Sequence, residues 1–216
     1  MQQLKNLQGL RFPDEYVVRM FFKERLHEQP GRVLELGCGS GNNLILFQEY
    51  EWEVIGIDIS SESLSNASHN LNCESKSANL ITMDLSKEIP VFEKLFDAII
   101  LPSFNYYIPR AQFQNILNFC SASLCEGGIF FLRSRTCQDW RYGRGRKVEN
   151  NGFILDCKET GEDGCLNVFY EKNELTNMIE NSFEKLNHMN VLSAKYENIQ
   201  SGVVIANDDV VIWGRK

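Results

Sequence analysis

The chain reads as an α/β fold in which a mostly parallel sheet carries helices on both faces, and three observations predict it. Between residues 30 and 134, short β-branched and Leu-rich runs alternate with segments of helical spacing. Such alternation argues for right-handed βαβ crossovers. The first of these runs breaks on three closely spaced glycines before a helix begins. With 216 residues, 43% of them hydrophobic and 24% charged, the chain is long enough for one core and short for two.

The elements follow in order. Pro13-Asp14-Glu15 opens and Pro30-Gly31 closes a helix over 13–28, with Val17, Val18, Phe21, Phe22 and Leu26 apolar. Arg32 to Leu36 reads as a strand, Gly37 to Gly41 as a turn, and Asn42 to Tyr50 as a helix. A second strand, Glu53 to Asp58, precedes Ser60, a cap for a polar helix reaching Cys73. Further strands fit Ala78 to Met83, Phe96 to Leu101 and Gly128 to Arg133. Arg110 to Leu124 carries Phe113, Ile116, Leu117, Cys120 and Leu124 at helical spacing. Past residue 134 the rhythm lapses. Residues 135–170 read as an insertion in which Phe153 to Cys157 and Cys165 to Tyr170 pair as a hairpin. Asn173 then caps a helix bearing Leu175, Met178, Ile179 and Phe183, and Asn190 to Tyr196 and Val210 to Gly214 complete the sheet. The chain thus divides, within one domain, into a helical cap (1–30), a ligand-binding core (31–134), an insertion or lid (135–170) and a closing helix with strands (171–216).

Composition excludes several classes. No apolar stretch approaches the ~18 residues of a spanning helix, and Met1 to Phe12 lacks the ~7-residue apolar block of a signal peptide, so the expectation is a cytoplasmic protein without membrane insertion. The seven cysteines contain no C-x-x-C pair and read as reduced core thiols. Only His27, His69 and His188 are available, without the ligand spacing of a zinc site, and no metal is expected. The net charge of −7 argues against DNA as a partner.

The informative segment is Val33-Leu34-Glu35-Leu36-Gly37-Cys38-Gly39-Ser40-Gly41-Asn42. Its glycines remove side chains where a strand turns sharply into a helix, letting a ligand approach the backbone and the helix N-terminal N–H groups. A dinucleotide fingerprint requires glycine at position 42, where Asn42 stands; Gly41 makes G-x-G-x-G instead, which disfavours NAD or FAD. Asp58 ends the second strand 21 positions after Gly37, close to the ~20-residue spacing at which a carboxylate meets ribose hydroxyls.

Here the chain resembles the class I S-adenosylmethionine-dependent methyltransferases, whose first motif is an acidic residue followed by G-x-G-x-G. The resemblance implies a Rossmann-like seven-stranded, mostly parallel sheet with helices on both faces and an antiparallel last strand. It implies S-adenosyl-L-methionine as cofactor and S-adenosyl-L-homocysteine as product. It assigns Glu35 to the methionine amino group, and Gly37, Cys38, Gly39, Gly41 and Asn42 to the loop under methionine and ribose. Asp58 falls to the ribose, Ile59 to the adenine face, Asp84 and Leu85 to the adenine edge, and Leu101 to the end of the fourth strand. Pro102 to Tyr107, at the sheet's C-terminal edge, lacks the N/D-P-P-Y/F signature of amino-group methylation on adenine, cytosine or glutamine.

On the acceptor side, proton-handling candidates are Tyr106, Tyr107, Asp139 and His188. Between residues 133 and 147 stand Arg133, Arg135, Arg141, Arg144, Arg146 and Lys147 against Asp139 alone, with Trp140 and Tyr142 among them. Arginine forks suit phosphate or carboxylate oxygens, so a mobile flap closing over a small anionic metabolite is expected, such as a phosphorylated or nucleotide-linked sugar. Arg135, Arg141, Tyr142 and Arg144 then bind substrate, with Tyr16 and its neighbours Arg11 and Arg19 as lid residues. RNA is an alternative substrate for the same patch, and a non-catalytic cofactor-binding partner subunit is an alternative to an enzyme.

Overall fold

The computed structural model describes residues 7–10, 12–72, 78–183 and 186–216. Its centre is a seven-stranded sheet in the order β3-β2-β1-β4-β5-β10-β9, with β1 (Arg32–Leu36), β2 (Glu53–Asp58), β3 (Asn79–Thr82), β4 (Phe96–Pro102) and β5 (Leu124–Arg135) all parallel. β9 (Asn187–Gln200) and β10 (Val203–Arg215) form a hairpin, and β10 lies antiparallel to both β5 and β9. The order reverses between β1 and β4, and in an open parallel sheet a crevice for ligands opens at that point, beyond the strands' C-terminal ends.

Period-two alternation along the central strands sends side chains to two cores. In β4, Ile99 and Leu101 join Phe130 and Leu132 of β5 under α4 (Arg110–Ser123) and α5 (Lys172–Ser182). Ala98 and Ile100 join Ile129 and Phe131 on the opposite face, under α1 (Glu15–Lys23), α2 (Asn42–Glu49) and α3 (Ser61–Asn72). Both faces are covered, which is why these strands read as continuous apolar runs.

Four expectations are corrected. The first helix ends at Lys23, because Arg25 turns left-handed at φ 61° before a 3₁₀ turn over Leu26–Glu28. α5 is capped by Glu171 and Glu174 in a reciprocal capping box, not by Asn173. The insertion is a three-stranded antiparallel sheet, β6 (Gly145–Glu149), β7 (Gly152–Leu155) and β8 (Leu166–Val168), so the arginine-rich stretch supplies a strand of its own. The closing hairpin is longer than expected. Asp209 pairs with Arg135 at the end of β5, and Val203 to Asp208 continue past it, paired to Lys195 to Gln200. Along Val203 to Asp208 the buried positions are Ile205, Asn207 and Asp208, so polar side chains fill buried places and the apolar pattern fades. Backbone bonds from Thr136 N–H to Asp208 O (2.9 Å) and from Trp140 N–H to Ala206 O (2.9 Å) tie the start of the insertion to that overhang.

One close approach sets the position of the glycine turn. Gly56 in mid-β2 lies under Cys38, where an added Cβ would stand 2.6 Å from the thiol sulfur and 2.9 Å from Leu44 Cδ1. Gly56→Ala is therefore expected to destabilise the fold by about 1–3 kcal/mol through overpacking. Combined with Cys38→Ala, which frees that space, the loss should be smaller than the sum of the two single losses in chemical denaturation.

Candidate functional site

The site begins where β1 stops. Gly37 and Gly39 both take left-handed φ values, 74° and 51°, a region that a side chain makes costly. Gly37 N–H and Cys38 N–H both donate to Ile57 O, at 2.8 and 3.0 Å, lacing the turn to β2. A Cβ on Gly37 would meet Phe104 at 2.8 Å, while one on Gly39 would meet nothing within 4 Å. The turn is thus a bare backbone surface that is open above Gly39.

Three carboxylates surround it. Glu35, at 1% exposure, accepts from Asn43 Nδ2 at 2.7 Å through Oε1, while its Oε2 is buried without a partner. Burial pushes the Glu35 carboxyl up to about 8 against the lowering bond from Asn43, and repulsion from Asp14 and Asp58 adds to the rise. Asp58 accepts from Gly39 N–H at 2.9 Å and from Ser60 N–H at 2.8 Å, so it shapes the turn from the end of β2. Asp84 accepts from Ser86 N–H and Oγ at 3.0 and 2.5 Å and pairs with Lys87 at 2.8 Å. Those bonds from Lys87 and Ser86 hold Asp84 below the usual carboxylate range.

A cleft of about 350 Å³ opens between these groups, with Ile59, Met83, Leu85, Phe104 and Ile108 as apolar walls and Asp58, Asp84, Ser86 and Ser103 as polar points. Its size and mixed lining suit a flat heterocycle joined to a hydroxylated ring. Ile59, 66% exposed, is a large apolar side chain held at the mouth of the cleft.

The sequence candidates separate accordingly. Gly37, Asp58, Ile59, Asp84, Leu85 and Tyr107 line one cleft, with Glu35 buried behind the turn. Leu101 is buried in the α4/α5 core, and the Cys38 side chain is buried against Gly56, where burial pushes its thiol up. Asn42 turns away and donates to Phe12 O at 2.8 Å. Met83, Ser86, Ser103, Phe104 and Ile108 belong to the cleft and were not among the sequence candidates, although Met83, Ser103 and Phe104 directly follow strand ends. Asn43 was not among them either. It bridges Glu35 and Asp14, accepting from Asp14 N–H at 2.7 Å, and nothing in its spacing marks it.

The acceptor-side candidates fare differently. His188 lies at the wrong edge of the sheet: it neighbours Asn187, which pairs with Arg215, and Arg215 pairs with Ile129 toward the start of β5. Asp139 is buried and bound to Arg141, with its Oδ1 accepting from the Arg141 backbone at 2.9 Å. Tyr106 is buried beneath the Arg135 guanidinium, 4.2 Å from its ring centre, and Tyr107 is 40% exposed. Both phenols are raised above their ordinary value, so they stay protonated and can donate hydrogen bonds but do not serve as bases.

The arginines form no free flap. Arg135 and Arg141 are buried against Glu162, Tyr142 donates to Asn151 Oδ1 at 2.9 Å, and Arg144 stacks 3.8 Å above the Trp140 ring. Arg133 pairs with Asp14 and Asp209, with the Tyr16 and Tyr196 rings beside it. A guanidinium leaving water needs such partners, which is why the charge run folds inward. Arg19 pairs with Glu15 at the surface, and Arg11 lies outside the described residues. Among the described residues no group of acidic, histidine or cysteine side chains is arranged to hold a metal, and no helix is long and apolar enough to cross a membrane.

Residues 33–128 match the family described as "Methyltransferase domain". Over this stretch, less than half of the chain, the sequence is similar to that family. A solved S-adenosylmethionine-dependent methyltransferase from Methanosarcina mazei superposes with a TM-score of 0.69 at 20% identity, covering 94% of this chain and 99% of that one. The N-methyltransferase NodS from Bradyrhizobium japonicum WM9, in complex with S-adenosyl-L-homocysteine, superposes at 0.63 and 15% identity over 94% and 86%. Among curated relatives, the tRNA N(3)-methylcytidine methyltransferase Mettl2 of Drosophila melanogaster is 26% identical over 161 residues, 70% of this chain and 48% of that protein. The putative methyltransferase YqeM of Bacillus subtilis (strain 168) is 38% identical over 80 residues, 36% and 32%. The matched stretches thus span half or less of these curated relatives.

The raised Glu35 carboxyl makes the stability of the chain pH-dependent. The folded chain keeps this proton up to about pH 8, whereas the ordinary value is 4.5. Stability contributed by the neutral form is present below pH 4.5 and is lost as pH rises toward 8. The unliganded Glu35→Gln chain should therefore gain melting temperature relative to the native chain as pH rises through that window. Parallel thermal melts at pH 5 and pH 8.5 check it.

Proposed function

We propose that the chain transfers the methyl group of S-adenosyl-L-methionine to an oxygen or nitrogen of a small anionic metabolite, releasing S-adenosyl-L-homocysteine. The observation that carries the cofactor half is the partnerless buried Oε2 of Glu35 beside a turn without side chains. A buried carboxylate lacking a donor is costly until a cation reaches it, and the ammonium of an amino acid fits that need. Asp58 supports the sugar hydroxyls and Asp84 the amino edge of the base, between Ile59, Met83 and Leu85. The residues present therefore fit the cofactor, which when bound supplies an electrophilic methyl on a sulfonium with a neutral thioether as leaving group.

The chain's own contribution is alignment. Holding an acceptor atom at near-attack distance supplies part of the ~7–11 kcal/mol available from proximity. The apolar walls of the cleft keep water off the reacting face. Tyr107, a phenol held protonated, hydrogen-bonds at the acceptor end and leaves proton removal to the acceptor or to solvent. For an anionic acceptor the support is the convergence of Arg135 and Arg141 beside Tyr107, and the exposed Arg144, Arg146 and Lys147 on the turn and strand that follow. The intact turn and acids count against a non-catalytic partner subunit.

RNA methylation is the second reading, favoured by the likeness to Mettl2 and by the same exposed cations. Incubation of the chain and labelled methyl donor with a metabolite fraction and with total RNA separates the two. Label in a small anionic product supports our reading; label in RNA alone overturns its substrate half. Asp58→Ala should weaken binding of S-adenosyl-L-homocysteine by about tenfold or more in calorimetry, as expected for a lost charge-assisted bond. Binding at pH 7 should also release about one proton, because the ammonium draws Glu35 into its ionised form. Calorimetry in buffers of different ionisation enthalpy reads that proton.

A further inference from the structure

The Glu162 carboxylate is held in a manner that a structural ion pair does not require. Its Oε1 accepts from Tyr107 OH at 2.8 Å and from Arg135 Nη1 at 2.6 Å, and its Oε2 accepts from Arg141 Nε. These three donors come from three places at the C-terminal edge of the sheet: the loop after β4, the end of β5 and the turn beyond it. Tyr107 also lines the cofactor cleft. Two guanidiniums and a phenol converging on one carboxylate form a recognition site for an oxyanion.

The donors are anchored without Glu162. Arg141 keeps Asp139 and Asn207, and Arg135 keeps Asn167 Oδ1 and its stack on Tyr106. Glu162 arrives differently. It stands in a loop between Gly161 and Gly164, both left-handed at φ 73° and 77°, with nothing within 4 Å of an added Cβ at either. The loop is tied at its two ends, by Ser201 Oγ to Glu159 O and by the pair Gly164 N–H to Leu155 O and Leu155 N–H to Cys165 O, while its tip carries turn bonds, from Gly161 N–H to Lys158 O and from Cys165 N–H to Glu162 O. A cup anchored on its own thus holds a carboxylate delivered by the tip of a loop.

We infer that Glu162 occupies the acceptor's oxyanion subsite: the cup of Tyr107, Arg135 and Arg141 takes a carboxylate or phosphate of the substrate, which displaces the Glu162 side chain. The inference rests on the methyl-transfer reading and gives its anionic acceptor a place. Exchange of the Glu162 carboxylate for a substrate carboxylate leaves the charge of the buried network unchanged, and a phosphate brings further negative charge to two guanidiniums, so neither guanidinium is left unpaired. The subsite explains why arginines at the acceptor edge are paired in the substrate-free chain. It makes the acceptor a compound whose oxyanion binds beside Tyr107 while its nucleophilic atom reaches toward the cofactor cleft.

The test uses the full chain with sodium acetate and with inorganic phosphate as probes, sodium chloride at matched ionic strength as control, and Glu162→Gln beside the native chain. In the native chain, one of the two anions should speed amide exchange across residues 158–165 in a saturable way that chloride does not reproduce. Glu162→Gln, whose neutral amide is more easily displaced, should bind that anion about tenfold tighter by titration. If Glu162→Gln does not fold, Glu162→Asp, too short to reach all three donors, is read for the same gain. Failure of either arm overturns the subsite; tighter binding by the variant without a response of the native loop marks a structural ion pair whose vacancy takes any anion. Acetate alone or phosphate alone as the effective probe assigns the acceptor's oxyanion. S-Adenosyl-L-homocysteine titrated into the same native chain reports separately on methyl transfer, since its failure to bind overturns that reading whatever the cup does.

Discussion

Glu35 is a carboxylate at the end of a central strand, cut off from water, with one oxygen satisfied and the other not. Folding alone does not favour such a group, and the neighbouring structure maintains it. Asn43, in the first turn of α2, donates to its Oε1 while accepting from the Asp14 backbone, so the entry to α1 is positioned by the residue that orients Glu35. Asp14 in turn pairs with Arg133, and Arg133 with Asp209 and the Tyr196 hydroxyl. One hydrogen-bonded chain therefore runs from the glycine turn after β1 to the edge where β5 meets β10.

The charge distribution has a second layer. A chain of net charge −7 concentrates arginines between residues 133 and 147, yet three of them are spent inside the protein on Asp14, Asp209, Asp139 and Glu162. Burial acts to raise the Glu162 carboxyl, and Arg135 and Arg141 outweigh it, holding it below its ordinary value. Asp209 is affected in the opposite sense, its burial outweighing Arg133 and Arg135. This edge of the sheet is thus made of neutralised pairs.

Much of the fold was legible in the chain because it rests on local rules. Apolar runs of five to seven residues broken by turn residues place β1, β2 and β4 correctly, and G-x-G-x-G places the left-handed turn after β1, because left-handed φ and a bare backbone are demands that only certain residues meet. Less was legible where an element's partner is distant. The inward turn of Arg135 and Arg141 depends on Glu162, more than twenty positions away, and the hairpin overhang is tied to Thr136 and Trp140 from a still more distant stretch.

The linear order of residues by itself determined the α/β architecture, the strand ends that carry Glu35, Asp58 and Asp84, and the glycine turn between them. Each follows from periodicity and backbone stereochemistry within a short window. Tertiary structure alone decided that His188 lies at the far edge, that Leu101 and Cys38 belong to the cores, that Asn43 serves Glu35, and that Glu162 fills a cup built from three other segments. The reason is that hydrogen bonds and ion pairs are set by distance in space. Their strength depends on burial, and a sequence carries neither until the sheet brings its edges together.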